Sequence, residues 1–140
     1  MSASKSRKAR RLPRTGPLPR PSGLTEARDY LKAEAFAAPA VQSVVFTATE
    51  FTSICPRTGQ PDFGSVVIEY TPADLCLESK ALKFYLWSYR DEGAFCEALA
   101  ARIADDIVDA IQPQRVRVAV HQNVRGGIAL VATAVRGSPP

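Results

Sequence analysis

A thiol and a carboxyl group stand seven positions apart in the stretch best suited to chemistry. Cys55 and Asp62 flank a loop that Pro56 and Pro61 stiffen and that can bend at Gly59. A thiolate is a strong nucleophile, and a carboxyl group can carry a proton to or from a reacting atom. The pair therefore predicts covalent attack on a small electrophile. The structural alternative is a Cys that packs as a small hydrophobe and an Asp that belongs to a turn.

Three basic residues could bind a phosphate. Lys80 and Lys83 are three positions apart on a predicted helix, so they share one face of it, and Arg125 stands beside two glycines in a predicted turn. Arg offers a planar fork of donors and Lys a point charge. On spacing alone, a solvated surface position remains the alternative for all three.

The remaining acidic and imidazole side chains carry weaker signals. Glu78 opens a predicted helix, where a carboxylate suits the helix dipole, and Glu97 stands one turn into the next helix. The lone histidine, His121, has no partner at metal-ligand spacing. We therefore predict no metal site and a structural role for His121.

The positive charge is concentrated at the start of the chain. Of 18 basic residues, seven fall in the first 20 positions without an acid, so 11 basic residues face 14 acids in the remainder. Residues 1–23 are also rich in Pro, Ser and Gly, which predicts a disordered basic tail that solubilises the chain or weakly attracts RNA. One domain is expected over residues 24–137, with residues 138–140 frayed.

Composition also indicates the cellular compartment. The three cysteines have no CxxC spacing, which favours neither a disulfide framework nor a zinc site. No apolar run approaches the roughly 18 residues that a membrane span needs. A cytoplasmic protein that contacts no membrane is expected.

The hydrophobic pattern predicts which elements hold the Cys55 loop. Helical periodicity spans residues 24–36, 77–90 and 92–111, and strand-like alternation spans 41–51, 64–70, 115–124 and 128–135. The central order ββααββ predicts an α+β fold, in which two helices cover one face of a four-stranded antiparallel sheet. The two open sheet edges favour a homo-oligomer whose copies join their sheets into a ring or barrel.

Two strings identify a family resemblance over residues 41–137. Cys-Pro-Arg-Thr-Gly-Gln-Pro-Asp-Phe-Gly at 55–64 and Glu-Ser-Lys-Ala-Leu-Lys-Phe-Tyr at 78–85 resemble the NADPH-dependent nitrile reductases of queuosine biosynthesis. These enzymes are the unimodular 7-cyano-7-deazaguanine reductases. The second string is similar to the signature of the reductase branch.

The resemblance implies a fold and a reaction. The fold is the tunnelling fold, in which subunits pool antiparallel sheets into a barrel and form active sites at their interfaces. Cys55 would add to the nitrile carbon to give a thioimide, and Asp62 would shuttle protons. NADPH would then deliver hydride twice, through an imine, to leave 7-aminomethyl-7-deazaguanine for tRNA modification.

The resemblance also assigns binding residues. Glu97 would accept hydrogen bonds from the guanine-like NH groups of a 7-deazapurine nitrile. The rest of the substrate pocket would be formed by Leu77, Glu78, Ser79 and Cys96. Lys80, Lys83 and Arg125 would bind the phosphates of NADPH. The chain has no GxGxxG fingerprint, so a Rossmann site is not expected.

One position departs from the family. Phe95-Cys96-Glu97 stands where the family usually reads Phe-His-Glu. The missing imidazole puts a second proton route in question, and Cys96 could instead pair reversibly with Cys55 in a protective disulfide.

Two other functions remain open. The first is an amidine-forming relative that acts on the same nitrile in tRNA. The second is a non-catalytic module that binds a purine-like ligand or tRNA. For the reductase, no nucleic acid is required.

Overall fold

The computed structural model of the chain describes residues 11–138. The helices are α1 (Leu24–Ala33), α2 (Ser79–Trp87) and α3 (Cys96–Ile111), and a 3-10 turn (Ser88–Asp91) follows α2. The strands are β1 (Phe36–Ala37), β2 (Val44–Ile54), β3 (Pro61–Thr71), β4 (Leu75–Cys76), β5 (Arg115–Arg125) and β6 (Ile128–Gly137). The predicted α+β class with antiparallel sheets is confirmed. In residues 11–138 no helix is long and apolar enough to cross a membrane.

The four long strands form one antiparallel sheet in the order β2-β3-β5-β6. Alternate residues of β3 and β5 point to one face of this sheet, where Ile68 stands opposite Val118 and Val66 opposite Val120. All four side chains are buried. This apolar face forms one side of the hydrophobic core.

The helices pack on that apolar face. The side chains of α3 that recur at helical spacing, such as Leu99, Ile103 and Ile107, are buried, and the helix packs across β5 and β6. Helix α2 contacts β2, and α1 lies against both α2 and α3. The opposite face of the sheet leaves Val45, among other apolar side chains, exposed.

Most boundaries differ by a few residues from those predicted by periodicity: β2 continues to Ile54 and β3 begins at Pro61, so the Cys55 loop is shorter than predicted, and α2 spans Ser79–Trp87 instead of 77–90. Two of the differences have a cause in tertiary pairing. The first helix ends at Ala33 instead of residue 36, because Phe36 and Ala37 pair with Cys76 and Leu75 in a small second sheet. The last helix begins at Cys96 instead of residue 92. The residues before it are extended because they bond to the end of β2.

The segment before α1 has no helix or strand from residue 11 to residue 23, yet it contacts the domain. Leu12 is buried and its N–H donates to Glu34, while Arg20 forms an ion pair with Asp91 at 2.8 Å. The predicted disordered tail therefore includes a part that packs on the core. Its first ten residues, and residues 139–140 of the C-terminal end, lie outside the described residues.

A buried polar network ties the helices to the 3-10 turn. The hydroxyl of Tyr85 donates to Asp106 Oδ2 at 2.5 Å and lies 2.6 Å from the hydroxyl of Tyr89. Arg28 Nε of α1 lies 2.9 Å from the other oxygen of Asp106. Burial raises the pKa of both tyrosines, so both hydroxyls keep their protons. The network thus fixes the turn from which the chain runs into α3.

Replacing Asp106 should therefore destabilise the fold. Asp106→Ala leaves a buried hydroxyl and a guanidinium without their carboxylate, and we expect it to lower the free energy of unfolding by about 2 kcal/mol. Urea unfolding followed by circular dichroism measures this loss. Asp109→Ala is the matched control because Asp109 lies on the same helix and is exposed. Equal losses in the two variants would contradict a stabilising network.

Candidate active site

Backbone hydrogen bonds fold residues 55–60 into a closed loop between β2 and β3. The N–H of Cys55 donates to the carbonyl of Gln60, and the N–H of Gly59 donates to the carbonyl of Cys55, each at 2.9 Å. Gly59 has a φ of 70°, a left-handed conformation that glycine adopts without strain. The N–H of Gln60 donates to the hydroxyl of Thr58 at 3.3 Å. Cys55 therefore stands at the mouth of a short, ordered loop.

The environment of Cys55 favours the thiolate. Its pKa is lowered first by a hydrogen bond from the side chain of Thr58, and then by the backbone N–H groups of Thr58 and Arg57. Desolvation, and then the negative charge of Asp62, oppose this shift. The side chain is partly exposed, so a small electrophile can reach the sulfur.

Asp62 lies at the start of β3, across from Ser53. Its side chain is only 12% exposed and forms an ion pair with Arg125, the last residue of β5. Gly64, two residues further along, permits this arrangement. A Cβ at Gly64 would lie 1.9 Å from the carbonyl oxygen of His121, so only glycine lets β3 and β5 approach this closely here.

The chain that enters α3 runs beside the end of β2. The N–H of Ile54 donates to the carbonyl of Glu92 at 2.9 Å, and the N–H of Ala94 donates to the carbonyl of Ile54 at 3.2 Å. The guanidinium of Arg57 also lies 6.0 Å from the ring centre of Phe95, within cation–π range. These contacts bring the first turn of α3 to the Cys55 loop.

Cys96 and Glu97 are the first two residues of α3 and differ in exposure. Cys96 is buried, its sulfur lies 3.4 Å from the carbonyl oxygen of Val120, and burial raises its pKa. Glu97 is exposed and free to meet a ligand. Cys55, Cys76 and Cys96 are all free thiols, so the pairing of Cys55 with Cys96 stays a prediction.

Asp62 and Cys96 line one small pocket together with Ser53 and Gln122. Its volume is about 10 Å³, which is room for one water molecule. A heterocycle the size of a purine needs far more space. The pocket of a single chain therefore has no room for the ring of the predicted substrate.

The predicted substrate residues at the start of α2 lie elsewhere. Both carboxylate oxygens of Glu78 cap the helix, accepting from the N–H groups of Lys80 and Ala81 at 2.8 Å each. Leu77 is buried, and its N–H donates to the hydroxyl of Tyr70 at 3.0 Å. This segment is held firmly in place, although it does not line the pocket of Asp62 and Cys96.

A larger groove runs between β2 and α2. It has a volume of about 490 Å³, and its lining includes the predicted residues Ser79 and Lys83. Phe51 is the only described residue that lines both this groove and the small pocket of Asp62 and Cys96. The two cavities are therefore neighbours.

The three predicted phosphate ligands do not meet within one chain. Lys83 lines the groove, the ammonium of Lys80 contacts the carbonyl of Pro13, and Arg125 contacts Asp62. Among residues 11–138, no three His, Cys, Asp or Glu side chains are grouped as metal ligands.

Sequence reasoning missed Thr58 and the pairing of Arg125 with Asp62. A hydroxyl one residue before a loop glycine was a usable signal for Thr58. No signal along the chain predicts the ion pair, because it depends on the register of β3 against β5.

Comparisons with known proteins add a family context. Residues 61–140 match the family described as QueF-like protein. The NADPH-dependent 7-cyano-7-deazaguanine reductase of Anaeromyxobacter sp. (strain Fw109-5) is 52% identical over 97 residues, which cover 69% of this chain and 80% of that protein. The protein of the same name from Thermomicrobium roseum is 47% identical over 91 residues, covering 65% of this chain and 71% of the relative.

A solved structure shares the fold. The crystal structure of the archaeosine synthase QueF-Like in the apo form is similar with a TM-score of 0.68 at 26% identity. The similarity covers 73% of this chain and 100% of that one.

The environment of Cys55 predicts its reactivity. Iodoacetamide should label Cys55 before the buried Cys76 and Cys96, as read by peptide mass spectrometry. Thr58→Val removes the hydroxyl that lowers the Cys55 pKa, so labelling at neutral pH should slow and its pH midpoint should rise. Thr133→Val, at an exposed position on β6, is the control. An unchanged midpoint in Thr58→Val would contradict the role of that hydroxyl.

Proposed function

Because the chain belongs to the QueF-like protein family, we propose that it is an NADPH-dependent 7-cyano-7-deazaguanine reductase acting in queuosine biosynthesis. Relatives that are 47% to 54% identical bear that enzyme name. The observation that carries the proposal is the placement of the partly exposed Cys55 thiol on a loop that adjoins Asp62 and the start of α3.

The first chemical step uses groups of this chain. The thiolate of Cys55 adds to the nitrile carbon, and Asp62 supplies the proton that the nitrogen needs, which gives a thioimide. A nitrile is a modest electrophile, and a protonated thioimide accepts hydride more readily, so covalent catalysis divides a difficult reduction into easier steps.

Recognition of the heterocycle is assigned to the start of α3. Glu97 is exposed beside the Cys55 loop and can accept hydrogen bonds from adjacent N–H groups of a guanine-like ring. Cys96 forms the wall of the pocket next to Asp62.

The groove beside α2 suits part of a dinucleotide cofactor. Lys83 and Arg90 offer positive charge to phosphates, and Trp87 offers an aromatic face. Its volume of about 490 Å³ falls within the range of ligand sites. When bound, NADPH supplies the hydride for both reductions. Lys80 and Arg125 would join these ligands only after leaving their present partners, Pro13 and Asp62.

A homo-oligomer of the tunnelling-fold type would complete the site. The sheet ends in two long edge strands, β2 and β6, and its uncovered face exposes Phe63 and Val131 by more than half. A neighbouring copy could bring its Leu77, Glu78 and Ser79 to the Cys55 loop. A cytoplasmic location stays a prediction.

The decisive test combines the chain with 7-cyano-7-deazaguanine and NADPH. We expect the NADPH absorbance to fall and 7-aminomethyl-7-deazaguanine to form. Cys55→Ala should abolish turnover, and Asp62→Asn should lower kcat by about 10² to 10⁴-fold because proton transfer is lost.

Two other outcomes would replace the proposal. Formation of an amidine from ammonia and nitrile-bearing tRNA, without NADPH oxidation, would identify the amidine-forming reaction of the alternative. Ligand binding without turnover under either condition would identify a binding module.

The unusual Cys96 gives a separate prediction. Cys96→His should preserve or raise kcat, because an imidazole next to Asp62 and Glu97 adds a proton relay. Steady-state kinetics of Cys96→His and Cys96→Ala measure this effect. A collapse of kcat in both variants, with unchanged circular dichroism, would show that the Cys96 thiol has a role of its own.

A further inference from the structure

The ion pair between Asp62 and Arg125 joins the proton carrier to the far end of β5. The NH1 group of Arg125 contacts Asp62 Oδ1, and the two side chains are 43% and 12% exposed. The register of β5 against β6 shifts between Gln122 and Arg125, immediately before the turn at Gly126 and Gly127. The guanidinium that contacts Asp62 therefore belongs to β5, the strand next to β3, at the point where the pairing of β5 with β6 changes register.

This contact gives Arg125 a place different from the one predicted for it. The sequence resemblance assigns Arg125 to the cofactor phosphates, whereas in the folded chain the guanidinium lies on the carboxylate that handles the proton. An ion pair to one carboxylate oxygen restricts rotation of the carboxyl group and leaves the other oxygen for a second partner.

We propose that Arg125 is a positioning residue for the covalent step, holding the carboxylate of Asp62 next to the Cys55 loop while the nitrile adds. This inference rests on the proposed function for the identity of the electrophile. It differs from a cofactor-binding role because it operates before NADPH is needed.

The addition of Cys55 to the nitrile, which Arg125 supports, needs no oxidant or reductant. The Cys55 sulfur forms a bond to the nitrile carbon, and one carbon–nitrogen π bond breaks. The thiol proton passes to Asp62, and Asp62 returns a proton to the nitrile nitrogen. No atom is expelled, so the adduct retains the full mass of the nitrile.

Charge gives the pair a second effect. The carboxylate of Asp62 opposes ionisation of Cys55, and the adjacent guanidinium offsets that charge. The other charged groups on the elements that meet the loop are Arg57 on the loop itself and Glu92 and Glu97 on either side of the bridge to Ile54. Removing Arg125 makes the net charge around Cys55 more negative, which disfavours the thiolate.

The first test measures the adduct in the absence of NADPH. Each protein is mixed with 7-cyano-7-deazaguanine alone, and intact mass spectrometry follows the mass gain over time. We expect Arg125→Ala to slow adduct formation by at least about tenfold, since a misplaced catalytic group costs rates of this size or more. Arg125→Lys should recover part of the rate because it restores the charge without the fork.

Arg136→Ala is the matched control. Arg136 also pairs with an aspartate, Asp105, at 2.8 Å, and its side chain is 37% exposed, close to the value for Arg125. It lies on β6 and contacts α3, away from the Cys55 loop. Its loss should leave adduct formation unchanged.

The second test needs no substrate. Iodoacetamide labelling of Cys55 should be slower in Arg125→Ala, with a midpoint at higher pH. An Asp62→Asn background separates charge from positioning. There Arg125→Ala should still raise the labelling midpoint through its charge, whereas adduct formation should show little further loss, because a residue that positions Asp62 has nothing left to position.

The outcomes separate the two proposals. A wild type that forms no adduct would reject the nitrile reductase, while slower Cys55 labelling in Arg125→Ala would still show that Arg125 acts at the Cys55 loop, and unchanged labelling would show that it does not. Normal adduct formation and labelling in Arg125→Ala, with a raised KM for NADPH only, would overturn the positioning role and return Arg125 to the cofactor.

Discussion

Two backbone hydrogen bonds, between Ile54 and the residues on either side of Gly93, hold the candidate site together. They make the end of β2 and the approach to α3 run in parallel. Because backbone groups form them, they depend on chain geometry and not on side-chain identity. Through this bridge the nucleophile's loop and the first turn of a helix, far apart along the chain, become neighbours. The segment that begins at Glu92 follows Tyr89, whose buried hydroxyl is held by a hydrogen bond with Tyr85.

The pKa of the Cys55 thiol is set by electrostatic effects that oppose one another. Donors from Thr58 favour a charged sulfur, and the carboxylate of Asp62 disfavours it. The buried Cys96, which lacks such donors from a loop, is held in its neutral form. Hydrogen bonding at Cys55 and burial at Cys96 thus shift the pKa values of the two thiols in opposite directions, although both have the same intrinsic chemistry.

Local patterns predicted what depends on local structure. Alternation of β-branched residues gave the long strands, and the apolar stripe from Leu99 to Ile111 gave α3 from Cys96 onward. Periodicity failed where tertiary pairing decides the conformation, as for residues 92–94 and for Phe36. The Cys55 and Asp62 pair was visible from spacing, but the partner of Arg125 was not. Residues 63 positions apart along the chain meet only once strand register is set.

Phe51 connects the two cavities to the buried core. Its ring packs 5.8 Å from the ring of Tyr89, which shares a hydrogen bond with Tyr85. Because Phe51 lines both the small pocket and the groove, a change in its size would alter both cavities at once. A substitution at this position therefore cannot report on one cavity alone.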